Sequence, residues 1–278
     1  MKFNLNRAAT EHILVVCHRG ATGGNIPCNT LPAFEIALMQ GADMLEADVS
    51  CTADGVLCIF HPRMEPRHLN KECSIPEMTW QEVSQLRYVN MNRTPTQFGL
   101  LTLDEFLEHF KDRCYINLDK FWDAPAEIYK AVKRHDMLDQ VLVKSPPTDE
   151  VIGVLEEIGP DVPYMPVIYE GRPFPHKELM NRCINYVGVE VVYPNADSVY
   201  AMPEFIEDMH RDNKLVWVNS IIYNTKKQLS GGHSDDSAFT ISMDHGWGWL
   251  ADKGYDLIQT DWPGMLIDYL KSTNRYYK

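Results

Sequence analysis

The chain has 278 residues, 45% of them hydrophobic, and a formal net charge of -13. A chain of this length and composition buries a sizeable core, so we expect a single domain over residues 1–278. The acidic balance argues against nonspecific binding to nucleic acid or to anionic membranes, because the chain has no surplus of cations to replace their counterions.

Cysteine usage and hydropathy indicate the compartment. The seven cysteines are an odd number without metal-ligand spacing, which fits a reducing environment and disfavours a zinc site or a disulfide framework. The five apolar residues in a row before His18 are too few for a signal peptide. No stretch approaches the roughly 18 to 20 apolar residues that a membrane helix needs. We therefore expect a cytoplasmic protein without a membrane span.

The first predicted strand delivers two polar side chains. Residues 13–17 form a short apolar run that stops at His18 and Arg19, as a buried parallel strand does at its functional edge. Thr30 is the predicted N-cap of the following helix, and Gly41 is its predicted end. This pattern predicts a strand and a helix with a functional site at their junction.

Further polar residues follow on the next strands. Glu46 and Asp48 lie on the second predicted strand, where the two-residue period points both side chains inward if the sheet is a barrel. Residues 58–60 predict a strand that delivers His61 at its end. Residues 63–99 are polar and rich in proline, and we interpret them as a short insertion after the second strand unit.

From there, strand and helix signals alternate to the end of the chain. The predicted strands cover residues 114–118, 140–143, 164–169, 187–193, 215–219 and 257–260. The predicted helices cover residues 103–111, 124–136, 149–158, 177–184 and 203–211, with a polar loop at 224–244 and a helix near Trp249. About eight strands, each followed by a helical segment, predict a (β/α)8 TIM barrel. An open doubly wound sheet is the alternative, but no G-x-G-x-x-G turn follows the first strand.

A combination of motifs resembles the glycerophosphodiester phosphodiesterases. These motifs are H-R-G at 18–20, N-T-x-x-A-F-x-x-A at 29–37, G-A-D-x-x-E-x-D-V at 41–49, T-x-D-G at 52–55, the histidine at 61, and D-x-I-x-T-D-x-P at 256–263. The resemblance extends over essentially the whole chain. It implies a barrel enzyme, a phosphoric diester hydrolase that converts glycerophosphodiesters to glycerol 3-phosphate and an alcohol.

The same resemblance implies a metal site at Glu46, Asp48 and Asp119. Three carboxylates that converge in a barrel mouth repel one another and raise their pKa values unless a cation neutralises them. Ligation by oxygen alone selects a hard ion, so the expected cofactor is Mg²⁺ or Ca²⁺. Isolated solvated charges at strand ends are the alternative for each carboxylate alone.

The catalytic pair expected from the resemblance is His18 and His61. Cleavage of a phosphodiester needs a base on the attacking oxygen and an acid on the leaving oxygen, and imidazole titrates near neutral pH. Arg19 is expected to bind phosphate oxygens with its cationic fork. Structural histidines and a surface salt bridge are the alternative interpretations.

The sequence departs from the family pattern at three positions. Cys28 replaces the glutamate of E-N-T, and Pro62 replaces the aspartate that usually follows the second histidine. Asp119-Lys120 stands where the family has E-x-K, and strand alternation predicts that Lys120 faces away from Asp119, and so misses the phosphate, unless the strand has already ended. Lys144, at the end of the next strand, is therefore our predicted phosphate ligand, with a rim lysine as the alternative.

Trp217 and Asn219 resemble the family's W-x-V-N strand, with one residue fewer between them, and they complete the predicted substrate-binding residues. Two other functions stay open. One is a related phospholipase D-like or cyclic-phosphate-forming lyase on the same barrel, which would want an apolar entrance that the polar 224–244 loop does not suggest. The other is a phosphate-binding pseudoenzyme, which the two missing carboxylates favour. The substrate headgroup and the oligomeric state are not encoded in these patterns.

Overall fold

The computed structural model describes residues 3–224 and 226–278, and within them eight parallel strands close into a barrel. The strands run in the order β1-β9-β8-β7-β6-β5-β4-β2, and β1 pairs with β2 to complete the circle. The predicted (β/α)8 barrel is confirmed.

The secondary-structure elements have the following bounds. The strands are β1 Leu14–His18, β2 Met44–Cys51, β3 Leu57–Ile59, β4 Tyr115–Asp119, β5 Val141–Ser145, β6 Tyr164–Tyr169, β7 Gly188–Val192, β8 Leu215–Asn219 and β9 Leu257–Thr260. The helices are α1 Leu5–Glu11, α2 Leu31–Met39, α3 Glu65–His68, α4 Trp80–Val83, α5 Leu103–Phe110, α6 Pro125–Arg134, α7 Asp149–Ile158, α8 His176–Met180, α9 Pro203–Arg211, α10 Asp235–Thr240, α11 Trp249–Lys253 and α12 Pro263–Ser272. A π-helical turn at Asp244–Gly248 leads into α11.

Two expectations need correction. The strand that delivers His61 is not a barrel strand, because β3 pairs antiparallel with β2 as a hairpin outside the parallel barrel. The apolar run of β3 carries no signal for the direction of pairing, so the sequence could not separate the two arrangements. The stretch 224–244 is not a continuous loop either, since it contains α10, which Ser234 caps by accepting a hydrogen bond from the Ser237 N–H.

Side-chain alternation along the strands divides the barrel interior into an apolar floor and a polar mouth. The floor is a buried cluster towards the amino ends of the strands, formed by Ala9, Leu14, Val16, Met44, Leu142, Met165, Leu215, Trp217 and Leu257. Trp217, midway along β8, is the member of this cluster that also contacts the polar mouth, through Lys144. Residues that follow on the same faces towards the carboxyl ends are polar, among them Glu46, Asp48, Asn117, Lys144 and Glu190. A functional site is therefore confined to the carboxyl-terminal mouth, as in other barrels of this type.

The opposite strand faces pack against the surrounding helices. Helix α5 shows the principle: Leu103, Phe106, Leu107 and Phe110 recur at helical spacing and are all buried. Thr102 caps this helix by accepting a hydrogen bond from the Glu105 N–H, and Glu105 accepts one in return from the Thr102 N–H. Burial of each such side chain stabilises the fold by roughly 1.5 to 3 kcal/mol.

Residues 63–99 pack beside the hairpin of β2 and β3. Their apolar side chains join β3 in a separate buried cluster of Cys58, Phe60, Leu69, Ile75, Val83, Tyr88 and Leu100. Tyr88 donates a hydrogen bond to the Ile59 carbonyl at 3.1 Å, which attaches this segment to the end of β3. Across the described residues, none of the helices has the length and apolar character to cross a membrane.

Candidate active site

Three carboxylates converge at the barrel mouth. Glu46 and Asp48 lie two residues apart on β2, and the register of β2 with β4 sets Asp48 opposite Asp119. Each residue offers a carboxylate oxygen, and these three oxygens all lie within 4.8 Å of one another. Glu46 and Asp48 are buried, and the Asp119 side chain is 17% exposed. The structure thus brings together the three residues expected to hold a metal ion.

Arg19 and Lys120 place two cations against this cluster. The Arg19 Nε lies 2.8 Å from Asp48 Oδ2, and the Arg19 backbone N–H donates a hydrogen bond to Glu46 Oε2 at 3.0 Å. Lys120 Nζ forms an ion pair with Asp119 and lies 3.4 Å from Asp48 Oδ1. Both cations therefore lie directly against the carboxylate cluster.

The prediction that Lys120 faces away from Asp119 is wrong. Strand β4 ends at Asp119, and Lys120 adopts a left-handed backbone conformation with φ of 64°. Strand alternation no longer applies beyond that turn, so the side chain returns to the same side as Asp119. Sequence alone gives little warning, because non-glycine residues adopt positive φ only rarely.

Burial and neighbouring charges shift the pKa values of the three carboxylates in different directions. Burial raises the pKa of Glu46 to about 7, and the negative charge of Asp48 acts in the same direction. Burial opposes ionisation of Asp48 too, but Arg19 and Lys120 hold its pKa below the ordinary value. Burial likewise opposes ionisation of Asp119, whose pKa Lys120 and Lys144 keep below its usual range. Asp48 and Asp119 are therefore held as anions by neighbouring cations, whereas burial brings the pKa of Glu46 close to neutrality.

The donor set fits a hard divalent cation. All three side chains offer oxygen, which suits Mg²⁺ or Ca²⁺ rather than a soft metal. Asp48 Oδ1 is buried, and within the described residues it has no hydrogen-bond partner. Such an oxygen is costly to bury unless it has a partner, and a bound cation would satisfy it.

The two predicted catalytic histidines face the same mouth, and each uses Nδ1 for a fixed contact. His18 Nδ1 lies 2.8 Å from Asp261 Oδ1, and His61 Nδ1 donates to the Pro62 carbonyl at 2.8 Å. His61 Nε2 lies 3.9 Å from Asp48 Oδ1. Burial lowers the pKa of His61, although Asp48 opposes this. Pro62, which lacks the carboxylate expected there, thus orients His61 with its backbone carbonyl.

The predicted substrate-binding residues on the far side of the mouth form a buried network. Lys144 Nζ lies 2.6 Å from Glu190 Oε2 and 3.9 Å from the centroid of the Trp217 ring. Asn219 Nδ2 donates to Glu190 Oε1 at 2.6 Å, and Trp217 Nε1 donates to Asn219 Oδ1 at 3.2 Å. Glu190, a single carboxylate within a hydrophobic strand, was not identified from the sequence. It engages Lys144, so Lys120 is the lysine in direct contact with the carboxylate cluster.

Asn29 and Cys28 show how the altered E-N-T motif is used. Asn29 Nδ2 donates to Asp48 Oδ2 at 2.9 Å, a role that the motif alone did not reveal. Cys28 Sγ lies 3.9 Å from His68 Nδ1, and burial raises the pKa of this thiol to about 12. The position that is glutamate in the family is therefore a neutral thiol that contacts neither catalytic histidine in the described structure.

The chain is similar in sequence to proteins of one family. The sequence profile of the "Glycerophosphoryl diester phosphodiesterase family" matches residues 18–261. A glycerophosphodiester phosphodiesterase of Caldanaerobacter subterraneus is 29% identical over 143 residues, 48% of this chain and 57% of that protein. One from Bacillus subtilis is 25% identical over 178 residues, 57% of this chain and 60% of that protein. The chain thus spans somewhat more than half the length of these relatives.

Solved structures show the same fold. A glycerophosphoryl diester phosphodiesterase from Parabacteroides distasonis has a TM-score of 0.77 at 16% identity, covering 98% of this chain and 94% of that one. An Oleispira antarctica phosphodiesterase in complex with the product sn-glycerol-3-phosphate has a TM-score of 0.70 at 19% identity, covering 93% of this chain and 96% of that one.

Proposed function

The chain belongs to the glycerophosphoryl diester phosphodiesterase family, and we propose on this basis that it hydrolyses glycerophosphodiesters to glycerol 3-phosphate and an alcohol. The observation that carries the proposal is the composition of one barrel mouth. It combines an all-oxygen cation site with two fixed cations, Arg19 and Lys120. It also contains His18 and His61, and each imidazole is held by a contact at Nδ1 that does not involve Nε2.

We assign the cation to Glu46, Asp48 and Asp119. Held there by the three carboxylates, Mg²⁺ or Ca²⁺ would supply Lewis-acid polarisation of the phosphate. The protein contributes a preorganised set of oxygens, because β2 and β4 fix all three carboxylates before any ligand arrives. Glu46 must give up its proton to act as a ligand, so cation binding is coupled to proton release.

Arg19 and Lys120 are assigned to the phosphate. The Arg19 guanidinium offers a planar set of donors for two oxygens of the phosphodiester, and the Lys120 ammonium offers a point charge. Both are fixed beside Asp48, so they stabilise the charge that develops on phosphate oxygens without reorganisation. Lys144 belongs to the Glu190 network, and there we propose that it, Trp217 and Asn219 contact the organic part of the substrate.

His18 and His61 are assigned to proton transfer. One imidazole takes the proton of the attacking oxygen, the phosphorus–oxygen bond to the alcohol breaks, and the other imidazole protonates the departing oxygen. The attacking oxygen is that of water, or it is a glycerol hydroxyl that first forms a cyclic phosphate which water then opens. Both routes give glycerol 3-phosphate and an alcohol, and both use one acid and one base.

A direct assay tests this function. Purified protein is incubated with glycerophosphocholine and Mg²⁺ or Ca²⁺, and glycerol 3-phosphate is detected by a coupled enzyme. Phosphorus NMR of the same mixture separates glycerol 3-phosphate from a cyclic phosphate, which would identify a lyase instead. If the protein binds glycerol 3-phosphate but releases no product under any of these conditions, it is a phosphate-binding pseudoenzyme.

A second candidate substrate is a lysophospholipid. We expected no apolar entrance from the 224–244 stretch, yet Phe239 on α10 and Trp262 are 43% and 49% exposed, with ring centroids 5.1 Å apart. Trp262 directly follows Asp261, the partner of His18, so this aromatic pair borders the mouth. Turnover of lysophosphatidylcholine that exceeds turnover of glycerophosphocholine would favour this substrate.

We also propose a cytoplasmic location. All seven cysteines are free, which supports a reducing compartment. The net charge of -13 supports a small-molecule substrate rather than nucleic acid. Cell fractionation with an antibody against the chain tests the location.

A further inference from the structure

Asp261 follows β9 and contacts the imidazole of His18 from across the seam between the first and last barrel strands. We propose that Asp261 is the positioning residue of His18: it fixes the imidazole so that Nε2 faces the substrate. This inference rests on the proposed function, because orientation of His18 matters to catalysis only if His18 transfers a proton. In the sequence, Asp261 was recognisable only as a member of the D-x-I-x-T-D-x-P motif.

The hydrogen bond defines the state of the imidazole. An ionised carboxylate can only accept hydrogen bonds, so the 2.8 Å contact requires a proton on His18 Nδ1. In the neutral imidazole, Nε2 then carries the lone pair and can accept a proton from the attacking or leaving group. Asp261 therefore holds the imidazole in the tautomer that leaves Nε2 available for proton transfer.

A second aspartate holds Asp261 in place. Asp235 Oδ2 accepts the Asp261 backbone N–H at 2.8 Å, and Asp235 Oδ1 accepts Thr260 Oγ1 at 2.8 Å. Ser220 Oγ and Trp247 Nε1 donate to the same Oδ1, each at 2.7 Å. Asp235 is buried, and these donors from the ends of β8 and β9 and from the π-helical turn fix the position of its carboxylate. The backbone of Asp261 is thereby anchored although its side chain is 53% exposed.

That exposure argues for orientation rather than for fold stability. Ion pairs with an exposed partner stabilise a protein by only about 0 to 1 kcal/mol. The other candidate orienting group is Cys28, at the position that is glutamate in the family, but its thiol faces His68. His61 is oriented differently, by the neutral carbonyl of Pro62. Among the described residues, Asp261 is thus the carboxylate that orients a catalytic histidine.

The test is a double-mutant cycle measured in saturating Mg²⁺ or Ca²⁺ with glycerophosphocholine. Asp261→Ala should lower kcat by ~10-fold or more, within the ~10² to 10⁴-fold that a proton-transfer step contributes, with KM and cation affinity unchanged. In a His18→Ala background, Asp261→Ala should cause no further loss, because the group that it orients is absent. Asp268→Asn is the matched control: it removes a carboxylate from the exposed face of α12 and should leave kcat unchanged.

A spectroscopic readout does not depend on turnover. With ¹⁵N-labelled histidine, the His18 Nδ1–H resonance should be lost or shifted upfield in Asp261→Ala and retained in Asp268→Asn. If Asp261→Ala does not fold by circular dichroism, Asp261→Asn keeps the side-chain volume and must show the same dependence on His18.

The outcomes distinguish a failure of the proposed histidine chemistry from a failure of the positioning role of Asp261. Wild-type turnover in His18→Ala would overturn the histidine chemistry of the proposed function and this role with it. Activity that depends on His18 but is unchanged in Asp261→Ala overturns the positioning role alone. Equal losses from Asp261→Ala in the wild-type and His18→Ala backgrounds also overturn it, because the aspartate would then act on something other than His18.

Discussion

Replacing Glu46 with glutamine should stabilise the cation-free protein at high pH and weaken its response to cations. Glutamine keeps the size of the side chain and its hydrogen-bond acceptor for the Arg19 N–H, but it cannot ionise. The substitution therefore imitates the protonated glutamate at every pH. It isolates the free energy that the buried negative charge costs when no cation is bound.

The pKa of Glu46 determines the magnitude and the sign of the change in the free energy of unfolding. Its value of about 7 in the folded chain exceeds the ordinary 4.5 by about 2.5, which corresponds to roughly 3 kcal/mol at ~1.4 kcal/mol per pH unit. Below pH 4.5 the side chain is protonated in both states, and the stabilising contribution is fully present. Between pH 4.5 and 7 the unfolded chain releases this proton while the folded chain still holds it, so the contribution is lost progressively and is gone once the pH has risen through the folded pKa of about 7. The substituted protein does not suffer this loss.

The assay is urea unfolding followed by circular dichroism at pH 5, 6, 7 and 8 in chelator. Glu46→Gln should exceed the wild type's free energy of unfolding by less than about 1 kcal/mol at pH 5 and by up to roughly 3 kcal/mol at pH 8. Excess Mg²⁺ or Ca²⁺ should reverse the order, because only the wild type offers a full set of anionic ligands. Parallel curves across this pH range, or a substituted protein that is less stable at pH 8 in chelator, would refute a protonated Glu46.

Three further predictions concern activity. Excess EDTA should abolish glycerophosphodiester turnover and Mg²⁺ or Ca²⁺ should restore it; full turnover in EDTA would remove the cation from the mechanism. His61→Ala should reduce kcat by ~10² to 10⁴-fold with an unchanged circular dichroism spectrum, and normal turnover in that folded variant would exclude the acid–base role. Lys120→Met should raise KM or lower kcat more than Lys144→Met does, because Lys120 contacts Asp48 and Asp119. If Lys120→Met has no effect and Lys144→Met lowers activity, Lys144 rather than Lys120 is the phosphate ligand.

The barrel and the carboxylate cluster could be predicted from the sequence because side chains along a strand alternate between its two faces. Glu46 and Asp48 are two residues apart, so strand alternation alone places them on one side. The same rule failed at Lys120, where the strand had ended and the backbone turned left-handed. It failed for β3 as well, because a short apolar run does not specify parallel or antiparallel pairing.

Contacts between distant segments were the part that sequence patterns could not supply. Asp261 was visible in its motif, but its contact with His18 spans 243 residues and depends on closure of the barrel. Glu190 is a single carboxylate in a hydrophobic strand. Its role in the network depends on an ion pair with Lys144 and a hydrogen bond from Asn219, both of which lie on other strands. No periodicity in the chain indicates such partners, since each belongs to a different local segment.

The pairing of β1 with β9 has a consequence for how the chain acquires its activity. Glu46, Asp48 and Asp119 come from one contiguous stretch, residues 46–119, so a partly assembled sheet can already present the oxygens of the cation site. His18 and Asp261 meet only when β1 pairs with β9, which is the strand pairing of longest sequence separation in the barrel and therefore the one of greatest loop-closure entropy. During refolding, we therefore expect cation binding to return before catalysis, and recovery of kcat to report the last event in assembly of the barrel.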